Sequence, residues 1–332
     1  MPLLRLLGDE SCSQSRTHPQ PPLIAPHGTL AAVDAFVMKS PAMALLNELG
    51  GFATAQQLLT VMTRDQLRAQ VKNGSVVRVW YGVYAATEPD LIGRLGALDV
   101  LMGQRAVACM GTAAALYGFD LENTVAVHVL DPGVRLRPTT GLIVHQRVGA
   151  PLQHIAGRVA TAPAWTAIEV ARTLRRPRAL ATLDAALHSA RCTRVQLESA
   201  VREQKGRRGI VAVRDLLSYA DGRAESAMES EARLVMIDYG LPLPELQYEI
   251  RALDGTVHRV DFAWPEQRVV AEYESIDWHS GRIEMVRDKK RYADLQDLRL
   301  TVIPIVVDDV RREPWRLAHR LEYHLSRPKM AS

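Results

Sequence analysis

The chain has 332 residues, 47% hydrophobic and 23% charged, with a formal net charge of +4 and a pI near 9.0. That balance describes a globular protein with apolar mass for two or three domains, and it excludes a disordered or fibrous chain. No apolar run of about 18 residues is present to span a membrane, and no secretion-signal plan opens the chain. Cys12, Cys109 and Cys192 are too scattered for a disulfide framework or a metal spacing. A reducing, cytoplasmic setting is therefore expected, and the mild basicity is compatible with a polyanionic partner.

Residues 1–39 include SCSQSRTHPQPPLIAPHG, which has no periodicity. They read as a flexible extension, with Met38 and Met43 as alternative starts. Order begins at Ser40-Pro41, an N-cap followed by proline at the first helical position, with Leu45, Leu46 and Leu49 as the buried stripe. Thr54 caps a short second helix and Thr63 a third, TRDQLRAQVK, which stops at Asn73-Gly74. A strand pair, Ser75–Val79 and Val83–Ala86, follows through Trp80-Tyr81-Gly82. Short helices followed by a hairpin match a winged helix-turn-helix over residues 40–90. In that arrangement the third helix enters the major groove, presenting Arg64, Gln66, Arg68 and Lys72, with Arg78 on the wing. Arg and Gln suit base edges and Lys suits phosphates. The competing reading is a helical packing or partner-binding module whose arginines are only solvated.

GGFATAQQLLTVMTRDQLRAQVKNGSVVRVWYGVYA resembles the N-terminal domain of AbiEi-type antitoxins and related transcriptional regulators. The resemblance implies binding to double-stranded promoter DNA and, as a partner, a cognate toxin protein. Residues 91–222 form a mixed α/β middle region. Leu91–Met110, Thr112–Tyr117, Ala162–Thr173 and Ala179–Ala190 read as helices, and Val125–Leu130 and Leu142–Arg147 as strands. Its phrases CMGTAAALYGF and RVATAPAWTAIEVARTL resemble the segment that follows in the same regulators. His128, His145, His154 and His188 lack metal-like spacing. The clusters Arg172-Arg175-Arg176-Arg178 and Arg202-Lys205-Arg207-Arg208 are solvated or track phosphates.

Residues 223–328 carry the densest chemistry. Ser226-Ala-Met-Glu229 is a capping-box pattern that opens a helix to Tyr239. Strand Gln247–Arg251, a turn at Asp254-Gly255, and strands Val257–Trp264 and Val269–Glu274 follow. If Pro265–Arg268 is a four-residue hairpin loop, Trp264 faces Val269 and Asp261 faces Glu272 on one side of the sheet, with Glu274 beside them. Facing carboxylates repel unless a proton or cation lies between them, which suggests a hard divalent metal. A helix Ile283–Leu298 with Arg287, Lys289, Lys290 and Arg291, then strand Leu300–Val307, completes the order α-β-β-β-α-β.

MESEARL, RVDFAWPE, AEYESIDWH and RDKKR, in that order, resemble a restriction-endonuclease-fold branch related to very-short-patch repair endonucleases, in particular domain-of-unknown-function family 559. The overall fold class expected is thus α+β/α/β and multi-domain, ending in a restriction-endonuclease-like core. The resemblance implies Mg2+ (or Mn2+) on Asp261, Glu272 and Glu229, and phosphodiester hydrolysis assisted by Glu274, His279 and Lys290. The family's Glu-Tyr-Asp-Gly is Glu-Tyr-Glu-Ser at Glu272–Ser275, an acid standing where related nucleases carry lysine. Two readings stay open. One is a metal-dependent endonuclease acting on DNA or RNA. The other is a non-enzymatic regulator or antitoxin of a toxin–antitoxin or phage-defence system with a degenerate nuclease fold.

Overall fold

A computed structural model describes residues 40–119, 121, 126–136, 139–146, 149–274 and 282–326, apart from the side chains of 282–285 and 288. The expected N-terminal extension, 1–39, lies outside the described residues. So does His279.

Helix α1 (Pro41–Glu48) starts at proline, as its sequence requires. Strand β1 (Phe52–Thr54), absent from the sequence reading, follows it. Helices α2 (Ala55–Leu58) and α3 (Arg64–Lys72) each begin with a complete capping box. In each, a threonine hydroxyl accepts from the glutamine N–H three residues on, and that glutamine's Oε1 accepts from the threonine N–H. Strands β2 (Val77–Trp80) and β3 (Val83–Ala85) join β1 in an antiparallel sheet of order β1-β3-β2. Ala42, Leu46, Ala53, Leu58, Leu67 and Val76 form a small separate core beneath them. Trp80 leaves that core. It is buried in the large middle core, and its Nε1–H donates to the carbonyl of Arg94 at 2.8 Å.

The middle region contains α4 (Leu91–Met102) and α5 (Met110–Tyr117). The single helix expected through Met110 stops instead at Gly103, which is left-handed. Parallel strands β4 (Val127–Leu130) and β5 (Leu142–His145) follow, then the antiparallel pair β6 (Leu152–Ile155) and β7 (Arg158–Thr161). Ala108 bridges the two pairs by bonding beside both Val129 and Ala160. Helices α6 (Pro163–Ala171), α7 (Arg176–His188), α8 (Arg194–Glu203) and α9 (Ile210–Leu217) pack around this sheet. Gly209, at the start of α9, has φ +84°, and a Cβ there would collide with the carbonyl oxygen of Arg172.

Helix α10 (Ala227–Asp238), β8 (Glu245–Arg251), β9 (Val257–Trp264), β10 (Val269–Tyr273), α11 (Arg282–Asp297) and β11 (Thr301–Ile305) give the expected element order. Two further helices, α12 (Val307–Arg311) and α13 (Pro314–Leu325), close one face. The sheet order is β11-β10-β9-β8, with β10 and β11 parallel and the other pairs antiparallel. Phe262, Trp264, Ala271, Ile303 and Ile305 pack toward α10, α12 and α13, and Val260, Ala263 and Val270 toward Leu295 of α11.

The middle and C-terminal regions are joined by buried ion pairs. Asp184 of α7 meets Arg233 of α10 at 2.6 Å, both side chains almost wholly shielded. Glu231 of α10, 1% exposed, takes Arg311 through two nitrogens at 2.8 and 2.9 Å and Arg178 at 3.4 Å. Arg176 pairs with Asp238 at 2.7 Å at the exposed edge of this contact. Of the first arginine cluster, Arg178 is thus internal, while Arg175 and Arg176 are exposed and make their pairs from the surface. Of the second, Arg207 pairs with Glu169 at 2.9 Å, while Arg202, Lys205 and Arg208 are exposed.

Candidate functional sites: an N-terminal basic face and a C-terminal acid cluster

In α3, Leu67 is buried and Arg64, Gln66, Arg68 and Lys72 are exposed, as the helical period requires. Arg78 is exposed on β2. Arg68 lies 3.3 Å from Asp65, but both side chains are at least 80% exposed, so this pair holds the guanidinium only weakly. Gln66 is differently placed. Its Oε1 accepts from Thr63 N–H at 2.8 Å, so its carbonyl oxygen caps α3 and only its amide nitrogen stays available. The T-x-x-Q spacing, present at Thr54–Gln57, Thr63–Gln66 and Thr193–Gln196, was the signal for this role.

The C-terminal cluster is built on the β9–β10 hairpin. Trp264 pairs with Val269 and Phe262 with Ala271, where the ladder ends, and Asp261 and Glu272 are the next residue on each strand. The turn is a short 3₁₀ segment, Pro265–Gln267, closed by Arg268 in the left-handed conformation. Asp261 Oδ2 accepts from the backbone N–H of Tyr273 at 2.8 Å. Glu272, only 7% exposed, pairs with the guanidinium of Arg291, which also donates to the carbonyl of Arg259 at 2.7 Å. Glu274 accepts from the hydroxyl of Tyr292 at 2.7 Å.

Glu229 approaches from α10. Its backbone N–H donates to Ser226 Oγ at 3.1 Å, which is half of the expected capping box. The other half is absent, because the Glu229 carboxylate accepts from the N–H of Glu225 at 3.0 Å and from Gln247 Nε2 at 2.9 Å. Gln247 Nε2 also lies 3.5 Å from Asp261 Oδ1 and so sits between the two acids. Gln247 has φ +53° within a strand, and the β8–β9 pairing skips it, passing from Leu246–Phe262 to Tyr248–Val260. A left-handed non-glycine residue inside a strand is a costly backbone conformation, held here by its surroundings. Sequence reasoning missed Gln247 altogether, because nothing local marks the irregularity.

Burial raises the pKa of all three principal acids. Glu229 goes up chiefly by desolvation, with the Asp261 charge adding to it. Asp261 also goes up by desolvation, against the lowering effects of the Tyr273 N–H and Arg291. Glu272 is pushed up to about 7, where desolvation outweighs the opposing charge of Arg291 and the charges of Asp261 and Glu274 add to it. Lys290 is exposed on α11, and among the described residues it makes no ion pair or hydrogen bond with these acids. The cation that α11 supplies is Arg291, one position on.

The donors that meet these carboxylates are nitrogens of Glu225, Gln247, Tyr273 and Arg291 rather than a shared central point. Among the described residues no group of three or more His, Cys, Asp or Glu side chains is arranged to hold a metal ion. Elsewhere, His128 Nδ1 lies 2.9 Å from His145 Nε2 across β4 and β5. Burial lowers the pKa of both, so one neutral ring donates to the other. His188 Nδ1 meets the carbonyl of Gly222 at 2.9 Å, and His154 is exposed. No helix among the described residues is long and apolar enough to cross a membrane.

Residues 106–219 match the family model of the AbiEi antitoxin C-terminal domain. Two Mycobacterium tuberculosis proteins, "Uncharacterized protein MT2308" of strain CDC 1551 / Oshkosh and "Uncharacterized protein Rv2248" of strain H37Rv, are each 73% identical to the chain over 270 residues. The alignment takes in 81% of this chain and the whole of each relative.

Proposed function

The chain belongs to one family with these two mycobacterial proteins and carries an AbiEi antitoxin C-terminal domain; from that premise we propose that it is a DNA-binding regulator of the antitoxin class. The observation that carries this reading is the match over residues 106–219. The N-terminal region supports it through three helices, a three-stranded sheet and a row of exposed cations, the order of a winged helix-turn-helix. In this reading α3 lies in the major groove of double-stranded DNA. Arg64 and Arg68 read base edges, Lys72 meets phosphate, and Arg78 follows the backbone from the wing. Gln66 mainly fixes the start of α3, with its amide nitrogen able to reach a base acceptor. A cognate toxin protein is the second partner, and its gene is expected beside this one.

The test is fluorescence anisotropy with a duplex from upstream of the gene, measured over a series of salt concentrations. Saturable binding that weakens steeply with salt supports the proposal. Equal affinity for that duplex and an unrelated one would reduce it to non-specific binding.

A second reading, metal-dependent phosphodiester hydrolysis by the C-terminal region, is favoured by one observation. Asp261 lies electrostatically within reach of both Glu229 and Glu272, and burial raises the pKa of all three, a pattern common at functional sites. Mg2+ or Mn2+ would fall to Asp261, Glu272 and Glu229, but the geometry as it stands commits them to nitrogen donors, and Arg291 already offsets Glu272. No hydrolytic step is derived from it, and the regulator reading stands first. Incubating wild type and an Asp261→Ala/Glu272→Ala variant with DNA and RNA, with Mg2+, Mn2+ or EDTA, decides the matter. Identical behaviour of the two proteins would end the hydrolytic reading.

A further inference from the structure

Helix α13 is anchored by one face, with Leu317, Ala318 and Leu321 buried in the C-terminal core. Its outer face carries five exposed residues, Trp315, Arg316, His319, Glu322 and Tyr323. Trp315 is 53% exposed and Tyr323 59%. Tryptophan is heavily buried on average, and Trp, Tyr and Arg are the side chains enriched at protein interfaces and their energetic hot spots. The rings of Trp315 and His319 meet edge to face at 6.0 Å, so the exposed residues form a continuous stripe.

A second observation is the order of those residues. About His319 the exposed set has the same layout in both directions. Aromatic rings stand four residues to either side, Trp315 and Tyr323, and opposite charges three residues to either side, Arg316 and Glu322. At a rise of 1.5 Å per residue, the rings lie about 6 Å and the charges about 4.5 Å along the axis from His319. Two such helices laid antiparallel about a two-fold axis at His319 set Trp315 opposite Tyr323 of the second copy, and Arg316 opposite its Glu322. Arg316 has Glu313 at 3.0 Å on its own helix, but these side chains are 66% and 45% exposed, so that pair holds it only weakly. The two formal charges of the stripe cancel, so it offers a polyanion no net attraction, and nucleic acid is set aside as its occupant.

We propose that the outer face of α13 is the contact surface of a homodimer, two copies packing antiparallel about a two-fold axis at His319. A two-fold interface uses the same patch on both subunits and so must be complementary to itself, as this stripe is. The rings supply apolar area, and the reciprocal Arg316–Glu322 pairs fix orientation and register more than they add affinity. A helix of 12 residues covers less than the roughly 1,200–2,000 Å2 of a standard interface, so association is weak and concentration-dependent. The inference does not rest on the DNA-binding reading. Under that reading a two-fold pair carries two copies of α3, which suits an operator of two half-sites.

The test is sedimentation velocity of the full chain from micromolar to millimolar concentration, where a monomer–dimer equilibrium is expected. Trp315→Ala should weaken dimerisation on the order of thirtyfold or more, since the lost ring counts twice across the two-fold axis. Arg316→Glu alone and Glu322→Arg alone should each weaken it by roughly tenfold, because each sets like charges opposite one another at both ends. Mixing these two variants, or joining both substitutions in one chain, restores opposite charges at both ends and should return association close to the wild-type level. Circular dichroism checks that each variant is folded, and should Trp315→Ala not fold, the charge exchange decides alone. A wild type that stays monomeric throughout overturns the proposal. So does dimerisation that a folded Trp315→Ala variant leaves unchanged, or a charge exchange that fails to recover association.

Discussion

Arg291 reaches from α11 to the carboxylate of Glu272 on β10, yet the Glu272 pKa is pushed up to about 7, because removing the carboxylate from water outweighs the arginine's charge. A carboxyl held above its ordinary value of 4.5 binds its proton more tightly in the folded chain than in the unfolded one. Folding stability therefore falls as pH rises from about 4.5 to about 7, by on the order of 3 kcal/mol from this group. Glu272→Gln should remove that share of the pH dependence and raise stability at pH 8. Urea unfolding of both proteins at a series of pH values measures it, and parallel profiles for the two would refute the assignment.

Asp184 and Arg233 tie α7 to α10 out of reach of water. Asp184→Ala leaves a buried guanidinium without its counter-charge and should cost about 3–5 kcal/mol. Asp184→Ala with Arg233→Met should recover part of that loss. The same ties predict that the middle and C-terminal regions unfold together. Separate transitions for the two in hydrogen exchange would contradict the coupling.

Thr63→Ala removes the hydroxyl that accepts from Gln66 N–H, and should lower stability by about 1 kcal/mol. Gln66→Ala, which breaks the reciprocal bond to Thr63 N–H, should act in the same direction. Thermal melting distinguishes a capping role from mere exposure. Unchanged melting for both variants would restore Gln66 to a purely surface position.

Gln247 separates two effects at one site. Gln247→Ala and Gln247→Gly both lose the amide that meets Glu229, but only glycine adopts φ +53° without strain. The glycine variant should be the more stable of the two by about 1 kcal/mol. Equal stability in denaturant would mean that the backbone at 247 is not strained.

Much of this was legible locally. The hairpin loop Pro265–Arg268 set the Trp264–Val269 register, and Pro41, Thr54 and Thr63 marked their helix starts. What escaped depends on residues distant in the chain. Strand β1 is three residues whose pairing is set by β3, and β6 and β7 are four residues each, β6 largely exposed. The arginines at 175–178 read as a surface cluster because their partners Glu231 and Asp238 lie more than fifty residues away. The sequence shows Lys290 and Arg291 side by side and does not distinguish which of them faces the acids. Helical rotation puts Arg291 against the sheet and Lys290 in water.

The most direct test concerns the basic face of α3. Affinity for a duplex from upstream of the gene is measured for wild type and an Arg64→Ala/Arg68→Ala variant, with circular dichroism to confirm that both fold. The regulator reading predicts that the variant loses at least about tenfold in affinity and most of its preference for that duplex, as each base-reading pair is worth about 1–3 kcal/mol. A folded double variant that binds the same duplex as tightly and as selectively as wild type would contradict it.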